Sequence, residues 1–404
     1  MRIRTGRTAA VACALLAAAA AAAGAREQEE GAAPPSAPPS APTAAAAAAE
    51  ARAGLERSLS WLLETQNADG SWGHPFPDHP GDEGFAWDTY YAWQMAAHGL
   101  ACMALVEAPA TVERSAALGR ALEWLTTAPL PMRGSDWDVD STWASLYGFA
   151  ACVRAAGDAR VSDSELAAAV RERGLEYYAD LERRQTPDGG WAYYDAPPFT
   201  ARPTWATSFC TALVIPALLS ARDELAWPVD SERIAHAVEA VRRAARPNGA
   251  FAYDVSIVPH SWTGTSIDGV KGSLGRIQVC LWALRKAGVG WATDDRLREG
   301  LASFFEHHRF LDLVRLRPIP HEGHYANAGY FYFFAHLYAA RVIGSLPEAE
   351  REAWFAPLRH HVLKTLADDG SASDFLTAHY MITASTSYAI LVLSASLPAE
   401  GGDG

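Results

Sequence analysis

Trp61-Leu62-Leu63-Glu64-Thr65-Gln66-Asn67-Ala68-Asp69-Gly70-Ser71-Trp72 reads as the end of a helix, a turn, and an aromatic side chain that folds back. Upstream, Leu55, Leu59, Leu62 and Leu63 fall near helical spacing across 51–66. Asn67, Asp69 and Gly70 are helix-stop and turn residues, because glycine takes a left-handed backbone without steric cost. Gln66 can bond backbone groups left free at the helix end, and Trp72 has a broad face to lay on a neighbouring helix. One such stretch would be an ordinary helix C-terminus.

The stretch recurs. Gln185-Thr186-Pro187-Asp188-Gly189-Gly190-Trp191 repeats its spacing, with Gly four and Trp six residues after Gln. Weaker copies are Arg246-Pro247-Asn248-Gly249-Ala250-Phe251 and Asp369-Gly370-Ser371, and Arg133-Gly134-Ser135-Asp136-Trp137 is a degenerate one. The glycines stand at 70, 134, 189, 249 and 370, at intervals of 64, 55, 60 and 121. A period of about 60 residues that alternates helix, turn and helix implies an array of helical hairpins.

Trp61-Leu62-x3-Gln66-x3-Gly70-x-Trp72 resembles the QW repeat of squalene–hopene cyclases, terpenoid cyclases and protein prenyltransferase β subunits, and Gln185 to Trp191 matches its second half. The resemblance covers roughly 51–398. It implies an all-α fold, an (α/α)6 toroid of about six helical hairpins in two concentric rings around a central cavity. It does not specify an activity.

The remaining sequence fits this frame. The chain has 404 residues, 50% hydrophobic and 10% aromatic, enough for a sizeable core, and its formal charge of −13 argues against nucleic acid as a partner. Residues 1–25 read as a signal peptide, with Arg2, Arg4 and Arg7 before an apolar run that ends at Ala23-Gly24-Ala25. The expected destination is export, periplasmic or extracellular, with membrane contact only through an uncleaved signal segment. Residues 26–50 are an Ala/Pro/Ser linker, although the Ala44–Ala49 run could join the first helix; the toroid spans 51–398 and a tail 399–404.

Amphipathic outer helices are expected near 51–66, 111–127, 163–184, 229–246, 292–309 and 347–366. Inner helices, apolar or small on nearly every side, are expected near 88–107, 141–156, 203–221, 273–288, 325–343 and 376–397. His307-His308 and His360-His361 fall on outer helices and are expected to be exposed. Cys102, Cys152, Cys210 and Cys280 each fall in a different inner helix, where they serve as small apolar side chains; an even count in an exported chain also allows disulfides. No Cys-x-x-Cys occurs, and no cysteine follows Asp by two residues as the zinc-binding prenyltransferases of the family would require, so neither metal nor cofactor is expected.

In such a ring, chemistry belongs at the N-terminal ends of the inner helices and the loops before them. The candidates there for ligand binding are Trp87, Asp88, Trp143, Trp205, His260, Lys271, Arg276, His321, His379 and Tyr380. Asp138-Val139-Asp140-Ser141-Thr142 resembles the Asp-x-Asp-Asp-Thr motif of class II terpenoid cyclases, with Ser141 where the third acid would stand. By that resemblance Asp140 is the proton donor; the plainer alternative is that Asp140 or Ser141 caps the next helix. His321-Glu322-Gly323-His324 with Tyr325 could supply an acid–base pair or simply pack a polar loop.

Three functions fit. The resemblance implies an isoprenoid-like ligand, bound and possible to convert, in an aromatic cavity. A carbohydrate-active hydrolase or lyase would use Asp88, Asp138 and Asp140, or His324, Tyr325, Lys271 and Arg276. A binding module without catalysis fits the missing acid and the missing zinc arrangement.

Overall fold

The computed structural model describes residues 44–79, 84–132, 140–162, 164–193, 205–255, 266–317 and 323–398. The expected signal peptide, residues 26–43 of the expected linker, the tail and the degenerate Gly134 repeat lie outside them. Fourteen helices are described: α1 (Ala44–Glu64), α2 (Trp87–Glu107), α3 (Val112–Thr127), α4 (Thr142–Ala156), α5 (Ala159–Ser162), α6 (Leu166–Arg184), α7 (Ser208–Asp223), α8 (Ser231–Ala244), α9 (Leu274–Lys286), α10 (Asp294–Glu306), α11 (Arg309–Asp312), α12 (Phe331–Gly344), α13 (Glu348–Leu363) and α14 (His379–Ser396). The Ala44–Ala49 run forms the start of α1. Among the described residues only isolated β-bridges occur, and no helix is long and apolar enough to cross a membrane.

Packing sorts the long helices into two rings. α2, α4, α7, α9, α12 and α14 each touch the next, and α14 returns to α2. Outside them, α3 lies on α2, α6 on α4, α8 on α7, α10 on α9, α13 on α12, and α1 on α14. The first helix thus closes on the last, and the Ser58 hydroxyl donates to the Gly370 carbonyl across the seam at 2.7 Å. The inner helices are buried along most of their length, Phe331 to Ala340 of α12 being a run of ten, as a ring enclosed by another ring requires. The four cysteines are buried free thiols within it.

The repeated turn has a repeated geometry. The Gln66 amide donates to the Gly70 carbonyl at 3.0 Å and to Ala117 of α3 at 2.9 Å; Gln185 does the same to Gly189 at 2.8 Å and Arg233 of α8 at 3.0 Å. The Trp72 indole N–H donates to the Leu62 carbonyl at 2.7 Å, and Trp191 to Leu181 at 2.8 Å, each ten residues back. Gln therefore ties each turn to the next outer helix, while Trp seals the end of its own. Gly70 and Gly189 have φ of +89° and +95°. A Cβ there would stand 2.3 Å from the Arg120 carbonyl oxygen and 2.5 Å from that of His236. Gly189→Ala is therefore expected to destabilise the protein by more than the roughly 1–3 kcal/mol of a left-handed backbone alone. Urea denaturation checks this, and a loss below 1 kcal/mol would show that α8 yields to the new methyl.

Two inner helices start later than their patterns predict. α7 begins at Ser208, not 203, because Thr207 is extended and bridged to Trp191 and Asp254, and its hydroxyl accepts from the Cys210 N–H at 3.3 Å as the cap. α12 begins at Phe331, not 325, because Tyr325 and Ala326 have φ of 62° and 56° and cannot carry a right-handed helix. The expected exposure of the outer-helix histidines holds for His360 alone: His307 and His361 are half-buried, and His308 is 2% exposed. The short α11 turns it inward, its Nε2 lying 2.9 Å from His336 Nε2.

The C-terminal ends of the inner helices are bound together by charge. Glu107 of α2 meets Arg341 of α12 at 2.6 Å and Arg154 of α4 at 2.7 Å. Burial acts to raise the Glu107 carboxyl, but the two guanidinium groups outweigh it and hold it below its ordinary range. This end of the ring is thereby filled, and the cavity lies toward the N-terminal ends.

Candidate functional site

A cavity of about 520 Å³ lies within the inner ring, inside the range of small-molecule sites. Its walls come from inner-helix residues near their N-terminal ends, such as Trp93, Trp143, Phe209, Phe331 and Tyr380, and from preceding loops that supply Tyr193, Tyr253, Tyr330 and Phe375. The rings fix one another. Trp93 stacks on Tyr380 with centroids 5.1 Å apart, Trp143 stacks on Tyr147 at 5.7 Å, and Phe209 meets Phe331 edge-on at 5.3 Å. Two pairs of phenols bond each other: Tyr147 with Tyr388, and Tyr193 with Tyr253 at 3.0 Å. Pairing of this kind leaves ring faces and edges, more than hydroxyls, to meet a ligand.

Among the described residues, two acidic residues line the cavity, Asp140 and Asp374. Asp140 sits just before α4 with φ +61°, an uncommon backbone for a residue other than glycine. The indole N–H of Trp93 donates to its Oδ2 at 3.2 Å. The turn is held from behind, where buried Arg184 donates from Nη1 to the Ser141 hydroxyl at 3.0 Å and the Thr142 hydroxyl at 3.2 Å, and from Nε to Asp180 at 2.7 Å. Ser141 is the N-cap residue but makes no side-chain cap bond, since its hydroxyl serves Arg184.

Asp374 follows the Gly370 turn and is 1% exposed. Burial pushes its carboxyl up to about 7, against the downward pull of the Ser385 hydroxyl, nearby backbone and Arg315. The Ser385 hydroxyl donates to Oδ1 at 3.1 Å. The backbone is fixed as well, with Leu316 N–H donating to the Asp374 carbonyl at 2.7 Å and Arg315 to the Ser373 carbonyl at 3.0 Å. Burial thus favours the neutral, protonated form of Asp374 beside an aromatic cavity.

The other sequence candidates divide into groups. Trp143 and Tyr380 line the cavity with Asp140. Trp205 meets the cavity residue Tyr193 edge-on at 5.3 Å. Arg276 is buried behind the wall, 5.3 Å over the Tyr253 ring, with its guanidinium held by the carbonyls of Ile267 and Phe251. Lys271, His324 and Tyr325 gather instead around Phe310, with the Lys271 ammonium 5.3 Å over the Tyr325 ring; none of the three lines the cavity. Trp87 is exposed and stacks on Tyr91 at 5.1 Å, with Asp88 beside it in the first turn of α2. His379 joins Asp78 and His74 at the N-terminus of α14. Asp138, His260 and His321 lie outside the described residues.

Sequence reasoning missed Asp374. The available signal was its place four residues beyond the recognised Gly370 turn, ahead of an apolar helix. A larger, more open hollow of about 690 Å³ lies between α9 and α10. Its charges satisfy one another, Arg285 with Asp294 and Arg298 with Asp295, and it has no aromatic wall.

No protein-family model matches the sequence, and no curated protein sequence matches it. Solved structures do. The GH76A α-1,6-mannanase from Salegentibacter sp. HEL1_6 superposes with a TM-score of 0.54 at 14% identity, over 86% of this chain and 98% of that one. This chain is an (α/α)6 toroid. The type II terpene cyclase MstE from Scytonema is also similar, with a TM-score of 0.49 at 17% identity, over 87% of this chain and 99% of that one. At these identities the likeness extends to the fold alone.

Proposed function

We propose that the toroid binds an apolar, isoprenoid-like ligand in its central cavity and transfers a proton to it from Asp374. The supporting observation is the lining. A sugar presents hydroxyls on every side and needs as many polar partners, whereas these walls are aromatic faces and four of the phenols are engaged with each other. An alkene needs apolar contact, an acid, and π faces for the positive charge that protonation creates. In the step, the Asp374 O–H bond breaks as a C–H bond forms at the alkene, leaving a carboxylate and a carbocation. A proton then passes from a neighbouring carbon to the Asp374 carboxylate, which returns an alkene and restores the acid. Asp140, held by Trp93, faces the same space and would stabilise the cation electrostatically.

Quenching of tryptophan fluorescence by farnesol, geranylgeraniol and squalene, compared with mannooligosaccharides, tests the ligand class. Saturable isoprenoid binding is expected. Trp143→Leu should weaken it about tenfold, equivalent to about 1.4 kcal/mol. Saturable binding of mannooligosaccharides alone would overturn this reading and favour a carbohydrate-active enzyme.

A further inference from the structure

Outside the cavity wall, the loop after the first repeat turn carries Gly73-His74-Pro75-Phe76-Pro77-Asp78 and packs on the start of α14. His379, the first residue of α14, places Nδ1 2.6 Å from Asp78 Oδ2, and His74 Nε2 lies 3.6 Å from the same oxygen. All three ligating atoms fall within 4.8 Å of one another. Zinc bonds of about 2.0–2.2 Å put tetrahedral ligand atoms roughly 3.3–3.6 Å apart. The His74–Asp78 separation already meets that spacing. The shorter His379–Asp78 contact holds a proton that a metal ion would replace.

The support for these ligands is built in. The His379 backbone N–H donates to Asp78 Oδ2 at 2.8 Å, which fixes the carboxylate. The Gly73 carbonyl accepts from Asn67 at 2.8 Å and Gln94 at 3.1 Å, which anchors the residue before His74. The His74 Nδ1 is buried without a hydrogen-bond partner, so this ring makes its polar contacts through Nε2. The two imidazole rings stand 5.1 Å apart and 54° out of parallel, an attitude that lets their lone pairs converge.

We propose that His74, Asp78 and His379 form a binding site for a divalent transition-metal ion, zinc by its donor chemistry, with the remaining coordination positions open to solvent. Two imidazoles and one carboxylate select such an ion over magnesium or calcium, which prefer oxygen donors alone. A second histidine–carboxylate group, His308, Asp312 and His361, has similar spacing but not the geometry. Its two rings stack face to face at 3.5 Å, 24° from parallel, so their lone pairs run side by side, and the Lys364 ammonium already sits 3.1 Å from Asp312.

Calorimetric titration of the tag-free full chain with Zn²⁺, repeated with Co²⁺ read by visible absorption, tests the site. One ion per chain is expected at micromolar affinity or better, with a tetrahedral or five-coordinate Co²⁺ spectrum. His379→Ala and His74→Ala should each weaken binding at least tenfold, while His361→Gln leaves it unchanged. His379 is largely exposed, its side chain 64% accessible, so its variant should fold normally, as circular dichroism would confirm. No saturable binding, or binding that survives both variants, would overturn the proposal. Neither result bears on isoprenoid binding, which is read separately by fluorescence.

Discussion

Asp374→Asn should make the folded protein more stable at pH 7.5 by about 2–4 kcal/mol, and should remove a pH dependence that the native chain has between about pH 4 and pH 7. The folded carboxyl titrates at about 7, the unfolded one near 3.9. Between these values the unfolded chain releases the proton and the folded chain keeps it. The stabilising contribution is therefore whole below pH 4, shrinks as pH rises, and is gone above 7. The total is about 4 kcal/mol at 1.36 kcal/mol per pH unit. Asparagine carries no ionisation and shows no such slope. Burial also depresses His336 and lowers His361 to about 3, with a slope of opposite sign at acid pH. Both residues are present in the two proteins, so the difference curve isolates Asp374. Urea titrations at several pH values measure it, and parallel curves would sink the assignment of a raised acid.

The same substitution should cost activity. With an isoprenoid that the native protein converts, the turnover of Asp374→Asn should fall by about 10²–10⁴-fold, the usual worth of a positioned acid, with binding little changed. Native turnover should decline as pH rises through about 7. Turnover within a few-fold of native for Asp374→Asn, together with its loss in Asp140→Asn, would move the proton donor to Asp140. A gain in stability alongside a loss of activity is what a strained functional group predicts.

The two carboxyls also mark how far the sequence could be read. The toroid was legible because Gln, Gly and Trp perform the same bonds in the two full copies, Gln66 and Gln185 reaching the next outer helix and Trp72 and Trp191 sealing their own. Such local duties leave a fixed spacing. Asp140 and Tyr380 were legible because loops before inner helices must face the mouth. Asp374 was not, because its character comes from burial beneath Leu316, Ser385 and Gly329, residues 11 to 58 positions away. His324 and Lys271 were misleading for the converse reason. Their residue types suit catalysis, but His324, beside the left-handed Tyr325, and Lys271, from a separate turn, both lie against Phe310.

Arg184→Met should be a damaging change outside the cavity. Arg184 is buried, and Asp180, its partner at 2.7 Å, is 10% exposed at the side chain. Removing the guanidinium leaves Asp180 with the Ser145 hydroxyl at 2.6 Å and the exposed Arg183. Breaking one side of a buried pair costs about 3–5 kcal/mol, and the remaining Arg183 contact puts the expected loss near the lower end. Asp180→Asn added to Arg184→Met should recover part of it, because the stranded charge is then gone; a double-mutant cycle with no coupling would show that the pair is not a unit. The effect should also reach the cavity. Arg184 holds the Ser141 and Thr142 hydroxyls, which sit directly after the left-handed Asp140. Loosening them lets that carboxylate leave Trp93. Well below its unfolding temperature, the Arg184→Met protein should therefore bind an isoprenoid more weakly than native. Unchanged affinity would mean that the Trp93 bond and the 3.1 Å bond from Thr142 N–H to the Tyr193 carbonyl fix the turn without help from Arg184.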